Sequence, residues 1–264
     1  MNLEAVLFDL DNTLVPEMAN YELAFDDACR QAAKAHRIDL ESLRRAVFGH
    51  ANELWEQSAT FRYCSSLGIG SPTSLLSEFP GDRPEFATLR DWAPGYRLSC
   101  WRRGLSAHGI GGDADELAGE LDAAFRARTR SHYPPYPDAL LALERLSNVY
   151  RLAVLTNGPI DVQLAKLSAS GLDHFFSVVV ASSEVGYGKP DPQLFTAALE
   201  RLGVDRTDAV AVGDSPERDV AGAHAAGIRC VWLNREGSAS PASLMPDFEI
   251  RSLDELPDLL SKTS

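Results

Sequence analysis

Positive charge is in short supply. The 264 residues hold 25 lysines and arginines against 38 aspartates and glutamates, a formal net charge of −13. That balance argues against a general nucleic-acid or anionic-membrane surface, because both demand clustered cations. A small anionic ligand is still compatible with it, provided a few cations are placed locally. Cysteine is scarce too: Cys29, Cys64, Cys100 and Cys230 are widely separated and form no CxxC pair or other metal-ligand spacing. They read as buried or incidental thiols of a reducing compartment. No apolar run approaches a membrane span, and the opening MNLEAVLFDL lacks the basic segment and long apolar stretch of a signal peptide. A cytoplasmic protein is expected. No internal repeat is evident, and with 45% hydrophobic and 24% charged residues neither disorder nor a fibrous array is suggested.

What the chain does have begins at residues 5 to 15, AVLFDLDNTLV. The run Ala5-Val6-Leu7-Phe8 suits a strand buried on both faces of a parallel sheet. Two carboxylates, Asp9 and Asp11, follow at its end, where an open α/β sheet presents ligand-binding groups. Like charges that close resist joint ionisation, so they need a cation, a shared proton, or both.

From residue 138 onward strand and helix patterns alternate, as in parallel crossover units. Strands are expected at 151 to 156, 177 to 181, 208 to 213 and 229 to 233, with a weaker one near 247 to 250. In KPDPQLFTAALERLG, Asp191 suits a helix cap, Pro192 its first turn, and Phe195, Leu199 and Leu202 an apolar stripe ending at Gly203. A helix over 160 to 170 is expected to bury Ile160, Leu164 and Leu167 and stop at Gly171. Residues 17 to 132 differ, with helical periodicity and almost no strand signal. Tyr21, Phe25, Ala28, Ala32 and Ala35 form one expected helical face, and Leu117, Leu121 and Phe125 another. A Ser/Pro/Gly-rich break interrupts them at 68 to 84, and three prolines near 131 to 139 restrict the chain's return. The fold class expected is α/β, a Rossmann-like doubly wound parallel sheet with an inserted all-helical domain. Residues 1–16 and 133–264 would form the core, and 17–132 the helical insertion.

Four features fall at or just past the carboxyl ends of expected strands: Asp9-Leu10-Asp11-Asn12-Thr13, Thr156-Asn157-Gly158, Lys189 in GYGKPDP, and Asp214 with Asp219 in GDSPERD. A parallel sheet would converge all four on one edge. Taken singly, each has an ordinary alternative: strand-end aspartates cap turns, Thr156 and Asn157 suit a turn, Lys189 suits a solvated surface, and Asp219 suits the first turn of a helix leading to Gly227. His108, His132 and His174 read as structural, and Arg97, Trp101, Arg102 and Arg103 either face a substrate or form a solvated helix face.

The ordered set resembles the haloacid dehalogenase superfamily, whose pattern is DxDx[TV], then Ser or Thr, then Lys, then GDxxxxD. The resemblance covers residues 1 to 16 and 137 to about 250, with the helical insertion where that family carries its cap. It implies a phosphatase in which Asp9 is the nucleophile that forms an aspartyl-phosphate and Asp11 is the acid and base. It further implies Lys189, Thr156 and Asn157 at the phosphoryl group, and Mg²⁺ held by Asp9, the Asp11 carbonyl, Asp214 and, directly or through water, Asp219. The expected partner is a small phosphorylated metabolite, such as a nucleoside monophosphate or a sugar or sugar-acid phosphate. A phosphomutase shares the core chemistry. A 2-haloacid dehalogenase would not need Asp11, and a non-enzymatic relative would tolerate loss of the acids, none of which is missing.

Overall fold

The computed structural model describes residues 3–111, 114–239 and 243–263. Two compact units are present, one built from Met1–Glu17 with Pro134–Ser264 and the other from Met18–Tyr133.

The first unit is a parallel sheet with surrounding helices. Its described strands are β1 (Ala5–Phe8), β2 (Arg151–Thr156), β3 (Val178–Ala181), β4 (Ala209–Gly213), β5 (Arg229–Leu233) and β6 (Phe248–Ile250). They run side by side in the order β3-β2-β1-β4-β5-β6, each neighbouring pair parallel. All four residues of β1 are buried, as expected of a central strand covered on both faces. Phe8 pairs with Val154 on one side and Val212 on the other, so the chains leave β1, β2 and β4 at one edge. The helix Pro192–Leu202 is capped by Asp191, whose side chain accepts from Gln193 N at 2.9 Å, and it packs Leu194, Phe195, Ala198 and Leu199 on the sheet. The helix Ile160–Ser170 buries Val162, Gln163, Lys166 and Leu167, whereas Leu164 is 48% exposed. Two polar residues thus occupy the inward face that apolar periodicity assigned to Ile160 and Leu164.

The second unit is helical. Glu17–His36 leads into it and is followed by Leu40–Glu56, Phe61–Ser66, Ser71–Ser74, Pro84–Ser106 and Ala114–Ser131. The buried stripe of Glu17–His36 is Tyr21, Ala24, Phe25, Cys29 and Ala33, so Ala28, Ala32 and Ala35 lie off the face expected for them. The larger side chains decide that rotation: Phe25 stacks on Trp101 at 5.1 Å and meets Phe125 edge-on at 6.1 Å. The stretch expected as a break does interrupt the helices, holding only the short Ser71–Ser74 between Phe61–Ser66 and Pro84–Ser106, yet it packs, with Leu75, Leu76 and Phe79 buried. Its hydroxyls find partners locally: Ser74 donates to Ser71 O at 2.7 Å, and Ser77 Oγ accepts from Phe79 N at 2.8 Å. No described helix is long and apolar enough to cross a membrane.

Candidate active site

The main chain continues the β1 ladder for one residue, Asp9 N donating to Val212 O at 2.9 Å, and then turns sharply. Asn12 sits at φ 63° in that turn, a left-handed conformation that asparagine tolerates better than most side chains. The turn sets Asp9 against the other strand ends. Lys189 Nζ lies 2.5 Å from Asp9 Oδ1 and 2.6 Å from Asp219 Oδ1, with all three residues buried. The Thr13 hydroxyl lies 3.3 Å from Asp9 Oδ2 and 3.4 Å from Asp214 Oδ1, and it can donate to one at a time. Carboxylate oxygens of Asp9, Asp214 and Asp219 come within 4.8 Å of one another.

Asp219 lies in the first helical turn leading to Gly227, as its alternative reading expects, but it is buried there rather than solvated. It lies in a wide π-type turn, Pro216–Val220, and is 4% exposed, its Oδ2 accepting from Ser215 N at 3.0 Å. The close approach depends on Gly213, where a Cβ would come within 2.2 Å of the Asp219 carboxyl carbon. One lysine therefore faces three carboxylates. Burial, opposed by Lys189 and reinforced by the Asp219 and Asp214 charges, pushes the Asp9 carboxyl up to about 7. Burial and the Asp219 charge also raise Asp214. Burial disfavours the Lys189 charge, but Asp219 and Asp9 more than offset it and hold the ammonium protonated.

Asp11 stands apart from this cluster in a network of its own. Its Oδ1 accepts from Lys166 Nζ at 2.6 Å and its Oδ2 from Gln163 Nε2 at 2.8 Å. Lys166 also reaches Glu17 Oε1 at 2.7 Å. Burial and the nearby Glu17 charge push the Asp11 carboxyl up to about 6, against the pull of Lys166. Two carboxylates only two residues apart thus have separate cations, which removes most of their mutual conflict.

Thr156 and Asn157 join the two networks. Gln163 Nε2 lies 2.5 Å from Thr156 Oγ1, and Asn157 exchanges hydrogen bonds with the Lys189 main chain, donating to its O at 3.1 Å and accepting from its N at 2.7 Å. Gly158 follows at φ 132°, a conformation closed to other residues, and its N donates to Ser182 Oγ at 2.9 Å. Asp9, Asp11, Thr156, Asn157, Lys189, Asp214 and Asp219 therefore belong to one connected hydrogen-bonded assembly, completed by Thr13. Gln163, Lys166 and Glu17 were not singled out from the sequence.

The arginine and aromatic group of the second unit is structural in large part. Trp101 is fully buried and donates to Asp122 Oδ1 at 3.1 Å, and Arg97 donates to Ser77 O at 3.1 Å. Arg102 pairs with Asp115 at 2.5 Å. His108 is held by Gly104 O at 2.8 Å and Ser42 Oγ at 3.0 Å.

A parallel sheet with acids and a lysine gathered at its carboxyl edge places the site where α/β enzymes bind their ligands. The family description haloacid dehalogenase-like hydrolase matches residues 3–227. Phosphoserine phosphatase of Thermus thermophilus is 35% identical over 255 residues, covering 96% of this chain and 98% of that protein. Glyceraldehyde 3-phosphate phosphatase of Methanopyrus kandleri is 30% identical over 258 residues, covering 97% of this chain and 91% of its own length. The crystal structure of a 2-haloacid dehalogenase from Pseudomonas syringae superimposes with a TM-score of 0.62 at 29% identity, covering 99% of this chain and 100% of that one. The chain belongs to the haloacid dehalogenase-like hydrolases, in their phosphatase branch.

Proposed function

We propose that the protein is a Mg²⁺-dependent phosphatase of small phosphomonoesters that works through an aspartyl-phosphate on Asp9. The observation that carries this is the division of labour at the end of β1. Asp9 sits among two further carboxylates and Lys189, while Asp11 is held by a different pair, Lys166 and Gln163.

The donor set fits the metal. Three carboxylates offering hard oxygen atoms within 4.8 Å of one another suit Mg²⁺, and a single lysine leaves them with excess negative charge. Asp9, Asp214 and the Asp11 carbonyl would hold the ion, with Asp219 contributing directly or through water. When bound, Mg²⁺ withdraws charge from the phosphoryl oxygens and eases the approach of an anionic nucleophile.

The chain's own groups do the rest. Asp9 attacks phosphorus and the ester P–O bond breaks, while Asp11 gives its proton to the departing alkoxide. Lys189, the Thr156 hydroxyl and the Asn157 main-chain N–H bind the phosphoryl oxygens as charge shifts onto them. Asp11 then takes a proton from the water that attacks the aspartyl-phosphate, and inorganic phosphate leaves. Substrates are small phosphorylated metabolites: nucleoside monophosphates, sugar or sugar-acid phosphates, or, by analogy with the Thermus relative, a phosphoamino acid. Selection among them is assigned to the inserted helical residues 17–132, since the groups of the core, 1–16 and 133–264, serve only the phosphoryl group that every substrate shares. Four buried free cysteines favour a cytoplasmic setting.

Phosphate release from a panel of about 100 phosphorylated metabolites tests the activity and ranks the substrates. Asp9→Asn, nearly isosteric but a poor nucleophile, should abolish release while the fold persists. Sustained turnover by that variant would place the nucleophile elsewhere. The structural likeness to a dehalogenase is tested alongside: halide release from 2-chloropropionate without phosphate release from any ester would favour that chemistry.

A further inference from the structure

Lys166 is a buried cation to which the phosphoryl chemistry above gives no task. It is 1% exposed on the helix Ile160–Ser170, and its ammonium contacts Asp11 Oδ1 and Glu17 Oε1 at 2.6 and 2.7 Å. Three residues earlier on the same helix, Gln163 is 0% exposed and holds Asp11 Oδ2 at 2.8 Å. For fold stability alone, well-packed apolar residues serve such positions as well or better. The polar pair has a geometric effect that apolar residues lack. A carboxylate held by one donor rotates about its Cβ–Cγ bond, whereas one whose two oxygens are gripped separately keeps its plane and direction.

We propose that Gln163 and Lys166 are the positioning residues for Asp11, fixing its carboxylate for proton exchange with the leaving-group oxygen, and that Glu17 holds Lys166 from the other side. This rests on the acid and base role given to Asp11 above. Gln163 adds registration: by contacting Thr156 Oγ1 at 2.5 Å as well, it sets the acid relative to a hydroxyl assigned to the phosphoryl group. Proton transfer requires hydrogen-bond reach, and a misplacement of about 1 Å loses on the order of 10²-fold in rate.

The test compares first-turnover release of the leaving group, by quenched flow with Mg²⁺, for 4-nitrophenyl phosphate and for the best alkyl ester from the phosphate panel. The phenolate leaves without protonation and the alkoxide does not. Lys166→Met and Gln163→Met should slow the alkyl ester at least about 10-fold more than the aryl ester, with KM little changed. Lys166→Arg, which retains charge and paired donors, should recover part of the loss. A purely structural role would slow both esters alike. Asp11→Asn, run in parallel, separates the two levels. If it is selective against the alkyl ester while the Lys166 and Gln163 variants affect both esters equally or neither, the positioning role is overturned and the role of Asp11 stands. If Asp11→Asn itself fails to discriminate, the acid and base assignment falls and the proposal with it. Should Lys166→Met not fold, Gln163→Met and Lys166→Arg decide by the same comparison.

Discussion

Replacing Lys189 by methionine isolates the contribution of one charge, because methionine is of similar length and apolar enough for the same buried site. The ammonium sits 2.5 Å from Asp9 and 2.6 Å from Asp219, and Asp214 lies in the same cluster with carboxylate oxygens within 4.8 Å. Removing one partner of such a buried pair destabilises by about 3–5 kcal/mol. At ~2–4 °C per kcal/mol, the melting temperature should fall by roughly 6–20 °C in metal-free buffer. The direction with pH follows from the carboxyls that remain. Asp9 already has its pKa raised to about 7 by burial, and loss of the lysine raises it further. A carboxyl with a raised folded pKa keeps its proton mainly in the folded state, and that stabilising uptake is lost as pH rises through the folded value. The deficit should therefore be larger at pH 8 than at pH 5, and Mg²⁺ should narrow it at pH 8 by replacing the missing charge. Differential scanning calorimetry in EDTA, with Mg²⁺ added back, measures all three effects. An unchanged melting temperature at pH 8 in EDTA would show that the lysine does not hold the cluster together.

Gly213→Ala places a methyl within 2.2 Å of the Asp219 carboxyl carbon, so overpacking of about 1–3 kcal/mol is expected in urea unfolding; an unchanged midpoint would refute the close approach. Asp138 accepts from Arg235 at 2.8 Å, Ser252 Oγ at 2.9 Å and Leu253 N at 2.9 Å, and against the effect of burial these partners hold its carboxyl below the usual range. Its stabilisation is present above the unfolded pKa near ~3.9 and is lost as pH falls through the lower folded value. Asp138→Asn should thus cost on the order of 1–3 kcal/mol at pH 7, with the gap to the wild type closing in strong acid. EDTA should abolish phosphate release and Mg²⁺ restore it, whereas full activity in a rigorously metal-free preparation would remove the metal from the mechanism.

The carboxyl edge of the sheet was legible where a chemical residue directly follows a short apolar run suited to a buried strand. Asp9 after AVLF, Thr156 after LAVL and Asp214 after AVAVG all obey that logic. Gln163 and Lys166 escaped it, since a buried polar pair on a helix imitates a solvated face and Leu164 offered a plausible apolar substitute. A signal was nonetheless present: Val162, Gln163, Lys166 and Leu167 share one helical face, so the apolar members already marked the inward side. The segment 68 to 84 is the expected break in the helices, but its burial was not legible. Serine, proline and glycine lower helix propensity, but Ser74 and Ser77 satisfy their own hydroxyls and leave Leu75, Leu76 and Phe79 free to pack. In the helix Glu17–His36, a choice between alanines was settled by the bulk of Phe25 and its stacking on Trp101.

The central position of β1 carries a consequence for how the chain is made. Ala5 pairs with Arg151 on one side and Ala209 on the other, so β1 is synthesised before both of its neighbours and waits for them. At typical synthesis speeds the delay to the nearer partner is on the order of ten seconds, ample time for Met18–Tyr133 to collapse as a unit of its own. Throughout that interval Ala5-Val6-Leu7-Phe8 is an unpaired apolar strand, the kind of segment that chaperones hold and that aggregates recruit. Completion of the sheet then depends on pairing strands far apart in sequence, which makes slow folding of the catalytic half the expected behaviour of this topology and co-expression with a chaperone the practical remedy for low yield.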